Sequence, residues 1–157
     1  MAKFTFDGID SISFLSDEFM GLTDEEKLSV IMPAAEFLRD RHQEKIRQVF
    51  KQRSGTLAKS IKIQVKNDDS GSFAHIAPTG KHPKSSTGKR FKKDKDGKRR
   101  ASGKYSGSNA EVAYILEYGS PRIRPRHWME TANEEAEAQI AEIQQAAWDD
   151  LMEKKGL

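Results

Sequence analysis

The sequence predicts an α+β fold, in which a small antiparallel sheet of about three strands packs against a long N-terminal helix and a long C-terminal helix. Two runs of apolar residues at spacings of three and four, one before residue 50 and one after residue 128, predict the helices. Alternating apolar and polar residues after residue 60 predict the strands. The chain has 157 residues and no cysteine, so we expect one domain, 1–157, whose core depends on burial alone.

The first long helix is predicted to begin at Thr23. Thr23 and Glu26 have the spacing of a capping box, in which each side chain accepts from the other residue's backbone amide. The stripe that follows is Leu28, Ile31, Ala35, Leu38, His42, Ile46 and Val49. Since proline lacks an amide proton, we expect a kink at Pro33, or a short helix followed by a longer one. An N-terminal extension, 1–22, is predicted to add a short helix within "IDSISFLSDEFMG".

Three segments are predicted to be strands. Ile61, Ile63 and Val65 alternate with polar residues, and the turn sequence "NDDSGS" followed by "FAHIA" completes a hairpin. Further on, "AEVAYILEYG" also alternates, which predicts a third strand with one face formed by Val112, Tyr114, Leu116 and Tyr118.

The last segment is predicted to be a helix of about 25 residues. Its stripe is Met129, Ala132, Ala136, Ile140, Ile143, Ala147 and Leu151. Its first turns are rich in glutamate and it ends in "EKKG", which complements the helix dipole.

Residues 79–108, the cationic segment, divide the charge of the chain. They hold eleven basic and two acidic residues, a net charge of +9; because the whole chain carries +3, the remainder carries −6. We predict a disordered insertion at the tip of a connection between two strands, since this composition buries little apolar area. The candidate DNA-contact or partner-contact residues are Lys81, Lys84, Lys89, Arg90, Lys92, Lys93, Lys95, Lys98, Arg99, Arg100 and Lys104.

The sequence predicts a protein that is not an enzyme, with no catalytic, metal or cofactor site. The four histidines lack metal-ligand spacing, no phosphate-binding loop occurs, and the paired acids lie in solvated or helix-terminal contexts. We expect His42 to have a packing role, and Glu117 to form an ion pair with Arg122 or Arg124. A metal-dependent nuclease built on Glu117 and His75 is the weakest alternative.

The chain shows no signal-peptide stretch and no membrane-spanning apolar run, so we expect a soluble protein that is not exported by that route.

Two stretches carry a resemblance to a known family. "SGTLAKSI" (54–61) after a long helix, and "VAYILEYGSPRIRPRHWMETA" (112–132) before the last one, resemble the tailed-bacteriophage minor tail proteins that act in head-tail joining or tail completion. The family pattern is roughly "tGxLxxSI", then "YAxxvEfGT", then "PFlrPA". Residues matching in place are Tyr114, Glu117, Tyr118, Gly119 and Ser120, and those matching more loosely are Pro125, Trp128, Met129 and Ala132. Thr131 stands where the family generally has proline, and Trp128 replaces a phenylalanine.

The resemblance implies a structural virion protein of the phage neck, a head-tail connector or tail completion protein located in the virion and assembled in the host cytoplasm. It implies a homo-oligomeric ring, a hexamer or dodecamer, stacked against adjacent neck and tail rings of the stopper, adaptor or tail terminator type. Double-stranded DNA would run through its lumen, and no membrane is involved. The cationic segment would contact DNA phosphates or an acidic neighbouring ring, or would remain solvated.

We also predict a subunit interface at Glu117, Arg122, Arg124, Arg126 and Trp128. On an extended chain the three arginines would project to one side, and guanidinium groups suit carboxylates across an interface. A solvated turn is the alternative for the arginines, and Trp128 could also anchor its helix to the sheet. The competing function is a small sequence-independent nucleic-acid-binding protein that acts through the cationic segment alone.

Overall fold

A computed structural model describes residues 3–6, 11–15, 22–50, 55–68, 71–81, 89–93, 95–104 and 107–156. The helices are α1 (Asp24–Val49), α2 (Thr56–Ser60), α3 (Asn109–Tyr118) and α4 (Trp128–Lys155). The strands are β1 (Lys3–Phe6), β2 (Ser11–Leu15), β3 (Ile61–Asp68), β4 (Gly71–Pro78), β5 (Lys89–Lys93) and β6 (Arg99–Lys104). The α+β class with two long helices is therefore confirmed.

Helix α1 begins at the predicted capping box. The Thr23 amide donates to Glu26 Oε2 at 2.8 Å, and the Glu26 amide donates to Thr23 Oγ1 at 3.3 Å. Of the two alternatives predicted at Pro33, the division into a short and a longer helix is wrong, because α1 is one 26-residue helix that contains this proline. Because Pro33 has no N–H, the Ser29 carbonyl has no donor within the helix. Both residues lie on the exposed side of α1, where water can donate to that carbonyl.

The core forms where α4 packs along α1 and where the sheet covers the same side of α1. Helix α4 has 28 residues, in agreement with the predicted long C-terminal helix. The large, fully buried side chains include Ile31, Leu38, Ile46, Ile61, Ile76, Trp128 and Ile140. Lys155 Nζ lies 2.8 Å from Glu26 Oε1, which ties the end of α4 to the start of α1. Among the described residues, no helix combines the length and the apolar character that crossing a membrane requires.

The larger sheet is antiparallel, with strand order β1-β2-β4-β3. The predicted hairpin is confirmed: β3 and β4 pair from Ile61 opposite Pro78 to Asp68 opposite Gly71. Burial fades along β3, however. Ile61 is buried, whereas Val65, predicted to lie on the same buried face, is 43% exposed.

The predicted short N-terminal helix is wrong for residues 11–15, which form β2; residues 9–10 and 16–21 of that prediction lie outside the described part. Ile12 and Phe14 alternate with Ser11 and Ser13, the period of a strand.

The predicted third strand is also wrong, because residues 109–118 form helix α3. Nearly every residue of "AEVAYILEY" is apolar, so the segment fits a two-residue and a four-residue period equally well. Ser108 decides between them: its side chain accepts from the Glu111 amide at 3.0 Å and starts a helix. The cationic segment therefore joins a strand to a helix rather than two strands.

Candidate assembly and nucleic-acid surfaces

The two ends of the cationic segment are held together on the protein body. The Thr79 amide and hydroxyl both donate to the Ser60 carbonyl, at 2.8 and 3.0 Å. The buried Asn109 side chain donates to the Thr79 carbonyl at 2.7 Å, and the Asn109 amide donates to Gly80 at 3.0 Å. Lys81 and Ser108 then form an antiparallel bridge. The segment thus leaves and rejoins the body at one clamped point.

Within this segment β5 and β6 form a two-stranded antiparallel sheet of their own. The expected disorder is therefore not confirmed for these strands. Among the described elements, β5 and β6 make extensive contact only with each other. Lys81, Lys95 and Lys98 are exposed, Lys84 lies outside the described residues, and seven of the predicted contact residues belong to the two strands: Lys89, Arg90, Lys92, Lys93, Arg99, Arg100 and Lys104.

Helix α3 turns one face inward and one outward. Asn109, Ala113 and Glu117, spaced four residues apart, are buried. Tyr114 and Tyr118 lie on the outer side, 62% and 46% exposed, with their ring centroids 4.7 Å apart. The sequence prediction placed these tyrosines on the face of a strand and so missed that they form a surface pair.

A tight turn follows α3 and reverses the chain toward α4. Gly119 has φ +84°, a backbone angle that glycine adopts far more easily than other residues, and a Cβ there would lie 2.9 Å from the Ile123 carbonyl and from Pro125. Ser120 and Ile123 exchange backbone hydrogen bonds at 2.8 and 3.1 Å. This turn places Arg122 at its tip, so the predicted one-sided row of three arginines on an extended chain is wrong at that position.

The three arginines of this connection, Arg122, Arg124 and Arg126, are exposed. None of them forms an ion pair with another residue in the part of the chain that the structure describes. The Arg126 amide donates to the Leu116 carbonyl at 3.0 Å and the His127 amide to the Glu117 carbonyl at 3.3 Å. These bonds satisfy carbonyls at the end of α3 and hold the connection against it.

Glu117 caps helix α4 across the turn. Its carboxylate oxygens accept from the Met129 amide at 2.8 Å and from the Glu130 amide at 3.2 Å. The residue at the N-cap position, His127, has left-handed backbone angles and gives no side-chain cap. The predicted ion pair of Glu117 with Arg122 or Arg124 is wrong, because a fully buried carboxylate at the positive end of a helix dipole already has its partners.

Trp128 is 1% exposed and Glu117 is 0% exposed, so the prediction that these two contribute surface contacts is wrong for the isolated chain. The Trp128 ring instead packs edge-on against His42, 5.8 Å between centroids, and anchors the start of α4 to α1. His42 Nε2 lies 2.7 Å from Asn133 Oδ1. Burial lowers the pKa of His42 from its usual 6.5, against the effect of the Asn133 hydrogen bond. The expected packing role of His42 is confirmed.

One group of side chains has the composition of a metal site. Glu117, His127 and Glu130 place ligand atoms within 4.8 Å of one another. Capping already explains the arrangement: Glu117 is occupied by two amides, and His127 Nδ1 lies 3.1 Å from Glu130 Oε2. The positive end of the α4 dipole also opposes a cation there. The alternative nuclease needed Glu117 as a free carboxylate, and Glu117 is not free.

A second charged surface lies along α4. From Trp128 to Glu153 the helix contains no Lys or Arg, and its eight acidic residues are all exposed: Glu130, Glu134, Glu135, Glu137, Glu142, Asp149, Asp150 and Glu153. We call this the acidic face of α4. Ala138 and Ala141 are exposed within it. The sequence predicts the negative charge of the body and the glutamates in the first turns of this helix, but no acidic surface was predicted, although the run without basic residues is visible in the sequence.

Comparison with protein-family models, with curated proteins and with solved structures finds no match to this chain.

Proposed function

We propose that this chain is a structural subunit of the bacteriophage neck, a head-tail connector or tail completion protein whose copies close into a ring around the DNA channel. The motifs around Ser54–Ile61 and Val112–Ala132, which resemble the minor tail proteins, support this proposal. A closing ring needs two different, mutually complementary surfaces on each subunit. The exposed tyrosines and arginines after residue 113 and the acidic face of α4 are two such surfaces.

The observation that carries the proposal is the separation of charge by a clamped connection. The cationic segment carries +9 and joins the body at one point, while the remaining chain carries −6. In a ring, this arrangement presents one cationic hairpin per subunit to the DNA phosphates, and the acidic bodies do not compete for them. We propose DNA in the lumen as the contact of the hairpin, rather than an acidic neighbouring ring.

The test of this function uses tailed particles from the phage that encodes the chain. We expect mass spectrometry of purified particles to detect the chain, at a copy number relative to the portal protein that matches a ring. Inactivating its gene should leave filled heads and complete tails unjoined, and supplying the protein should restore joining. Purified particles that lack the chain, or joined particles without the gene, would exclude the proposal.

A second candidate function is sequence-independent nucleic-acid binding by a monomer. The separate β5–β6 sheet favours it, because such a hairpin could bind a phosphate backbone without any assembly. The two candidates differ in stoichiometry. A neck protein binds DNA as a ring, whereas the alternative binds one chain at a time.

We further propose that the chain works without catalysis. The polar side chains that the fold brings together near Glu117 serve to cap α4 and to hold the 119–127 connection in place. Incubation with plasmid DNA and Mg²⁺ or Mn²⁺ should leave the DNA intact, and any turnover-dependent cleavage would contradict this.

A further inference from the structure

The exposed side of α3 and the connection that follows this helix have the composition of a protein-binding site. Of the four large hydrophobic side chains exposed among the described residues, three lie within ten positions: Tyr114 (62%), Tyr118 (46%) and Ile123 (44%). Arg122, Arg124 and Arg126 are exposed in the same stretch. Tyrosine and arginine, together with tryptophan, are enriched among the residues that dominate binding energy, because they combine contact area with directional hydrogen bonds. We call these six residues the Tyr–Arg surface.

The chain itself holds the complementary surface. The acidic face of α4 offers Glu134, Glu137 and Glu142, none of which forms an ion pair with another described residue. Ala138 and Ala141 lie between these carboxylates on the outward side of the helix. Small side chains let an aromatic ring approach the helix closely, while arginine forks reach the carboxylates on either side.

We infer that the Tyr–Arg surface of one copy binds the acidic face of α4 on the next copy. This inference rests on the proposed ring and names the contact that builds it. The contact is heterologous, since the two surfaces differ, so it joins copies head to tail instead of stopping at a dimer. In the proposed ring, the rotation between neighbouring copies closes the series. Binding depends on charge and weakens as salt screens the arginines.

A cross-linking experiment tests the contact directly, because the full chain contains no cysteine. Tyr118→Cys is made in one preparation and Ala138→Cys in a second preparation that carries a larger tag. After mild oxidation of the mixture we expect a disulfide-linked species of mixed size, at least tenfold more abundant than the products in which either variant is linked to itself. Replacing Ala138→Cys by Lys62→Cys, an exposed position on β3, gives the matched control and should yield no such product.

Charge reversal provides the second measurement. Arg122→Glu with Arg124→Glu should weaken self-association at least tenfold in sedimentation, and mixing with a Glu134→Lys, Glu137→Lys chain should restore it. Efficient cross-linking of Tyr118→Cys to itself would indicate a symmetric contact and overturn the inference. So would a wild-type chain that remains monomeric, or arginine variants that assemble normally but lose DNA retention.

The two levels of the account fail separately. If the chain is present in joined particles and assembles without this cross-link, only the inferred contact is wrong. If the chain is absent from tailed particles, the proposed function is wrong, whatever the cross-linking shows.

Discussion

Glu117 Oε2 accepts a hydrogen bond from the backbone N–H of Met129 at 2.8 Å, so the carboxylate of one helix caps the next. The link crosses the turn that carries Arg122 and Arg124 and fixes both ends of it. Glu117 is fully buried, so a carboxylate shielded from solvent holds the start of α4 to the end of α3 on either side of the connection that carries these arginines.

Replacing this carboxylate tests the cap. Glu117→Ala leaves a buried N–H without a partner at the start of α4, and we expect it to lower the free energy of unfolding by about 3 kcal/mol. Glu117→Gln keeps one acceptor oxygen but loses the charge and turns an NH2 donor toward the second amide, so it should cost about 2 kcal/mol. Urea denaturation measures both values, with Glu36→Gln, an exposed position on α1, as the matched control. A Glu117→Ala protein as stable as the control would show that the cap contributes nothing.

Gly119 should tolerate no side chain. Gly119→Ala combines a positive φ of +84° with a Cβ 2.9 Å from backbone and ring atoms, so we expect a loss of about 3 kcal/mol or more. Gly55→Ala is the control, because Gly55 also has a positive φ but no atom within 4 Å of the added Cβ. It should cost only about 1 kcal/mol. If Gly119→Ala and Gly55→Ala lost equal stability in thermal or urea unfolding, backbone strain alone, and not the close approach of other atoms, would explain the need for glycine at position 119.

Protonation of His42 should destabilise the fold in mildly acidic solution. The unfolded chain takes up a proton at its usual pKa of 6.5, whereas burial lowers the pKa of the folded imidazole. The unfolded state thus binds more protons between these two values. Stability is full above about pH 6.5 and falls as the pH drops toward the folded pKa, by at most about 1.4 kcal/mol per pH unit.

His42→Leu removes the titrating imidazole. The unfolding free energy of this variant should therefore stay nearly constant from pH 7 to pH 5, whereas that of the wild type should decrease. The pKa of Glu26 is lowered, chiefly by the hydrogen bond from Lys155, so its stabilising contribution is constant above its usual value of 4.5 and is lost only at lower pH. The window from pH 7 to pH 5 is therefore clear of this group. Parallel curves for the two proteins between pH 6.5 and pH 5 would show that His42 is not the group that titrates.

The cationic segment should be removable without loss of the fold. Because Lys81 and Ser108 already pair, residues 82–107 can be replaced by Asn-Gly, which closes a tight turn. We expect an unfolding free energy within about 1 kcal/mol of the wild type, since loop length changes closure entropy only slowly. DNA retention at low salt should disappear. Unchanged retention would place the DNA contact elsewhere on the chain.

A milder variant, Lys89→Gln with Lys92→Gln, should keep the hairpin and reduce the steepness of the salt dependence. Each phosphate contact that is lost lowers the slope of log K against log salt by about 0.9. Equal slopes for this variant and the wild type would show that these lysines do not meet phosphates.

The sequence predicts well the parts of this fold that local interactions determine. The capping box at Thr23, the stripe of α1 and the β3–β4 hairpin each depend on residues close together in the chain. It fails between 110 and 118, where Tyr114 and Tyr118 fit both a strand face and a helix face. The Ser108 cap and the burial of Asn109 and Ala113 favour the helix over the strand.

The cap of α4 is harder to predict, because donor and acceptor are twelve residues apart on two different elements. A weak signal was present all the same. His127 is a poor cap residue, so the start of this long helix lacks a local acceptor. Glu117 is a carboxylate in an otherwise apolar segment, so it lacks a local donor. The amides at the start of α4 and the Glu117 carboxylate therefore supply each other's missing partner.

Native mass spectrometry of the full chain over a range of concentrations, with negative-stain images of the same samples, shows whether the copies form a ring. We expect a discrete species of six or twelve copies with an open centre, which dissociates at high salt and when Arg122 and Arg124 are reversed in charge. A species of 17.7 kDa at every concentration, even with neighbouring neck proteins present, would contradict it.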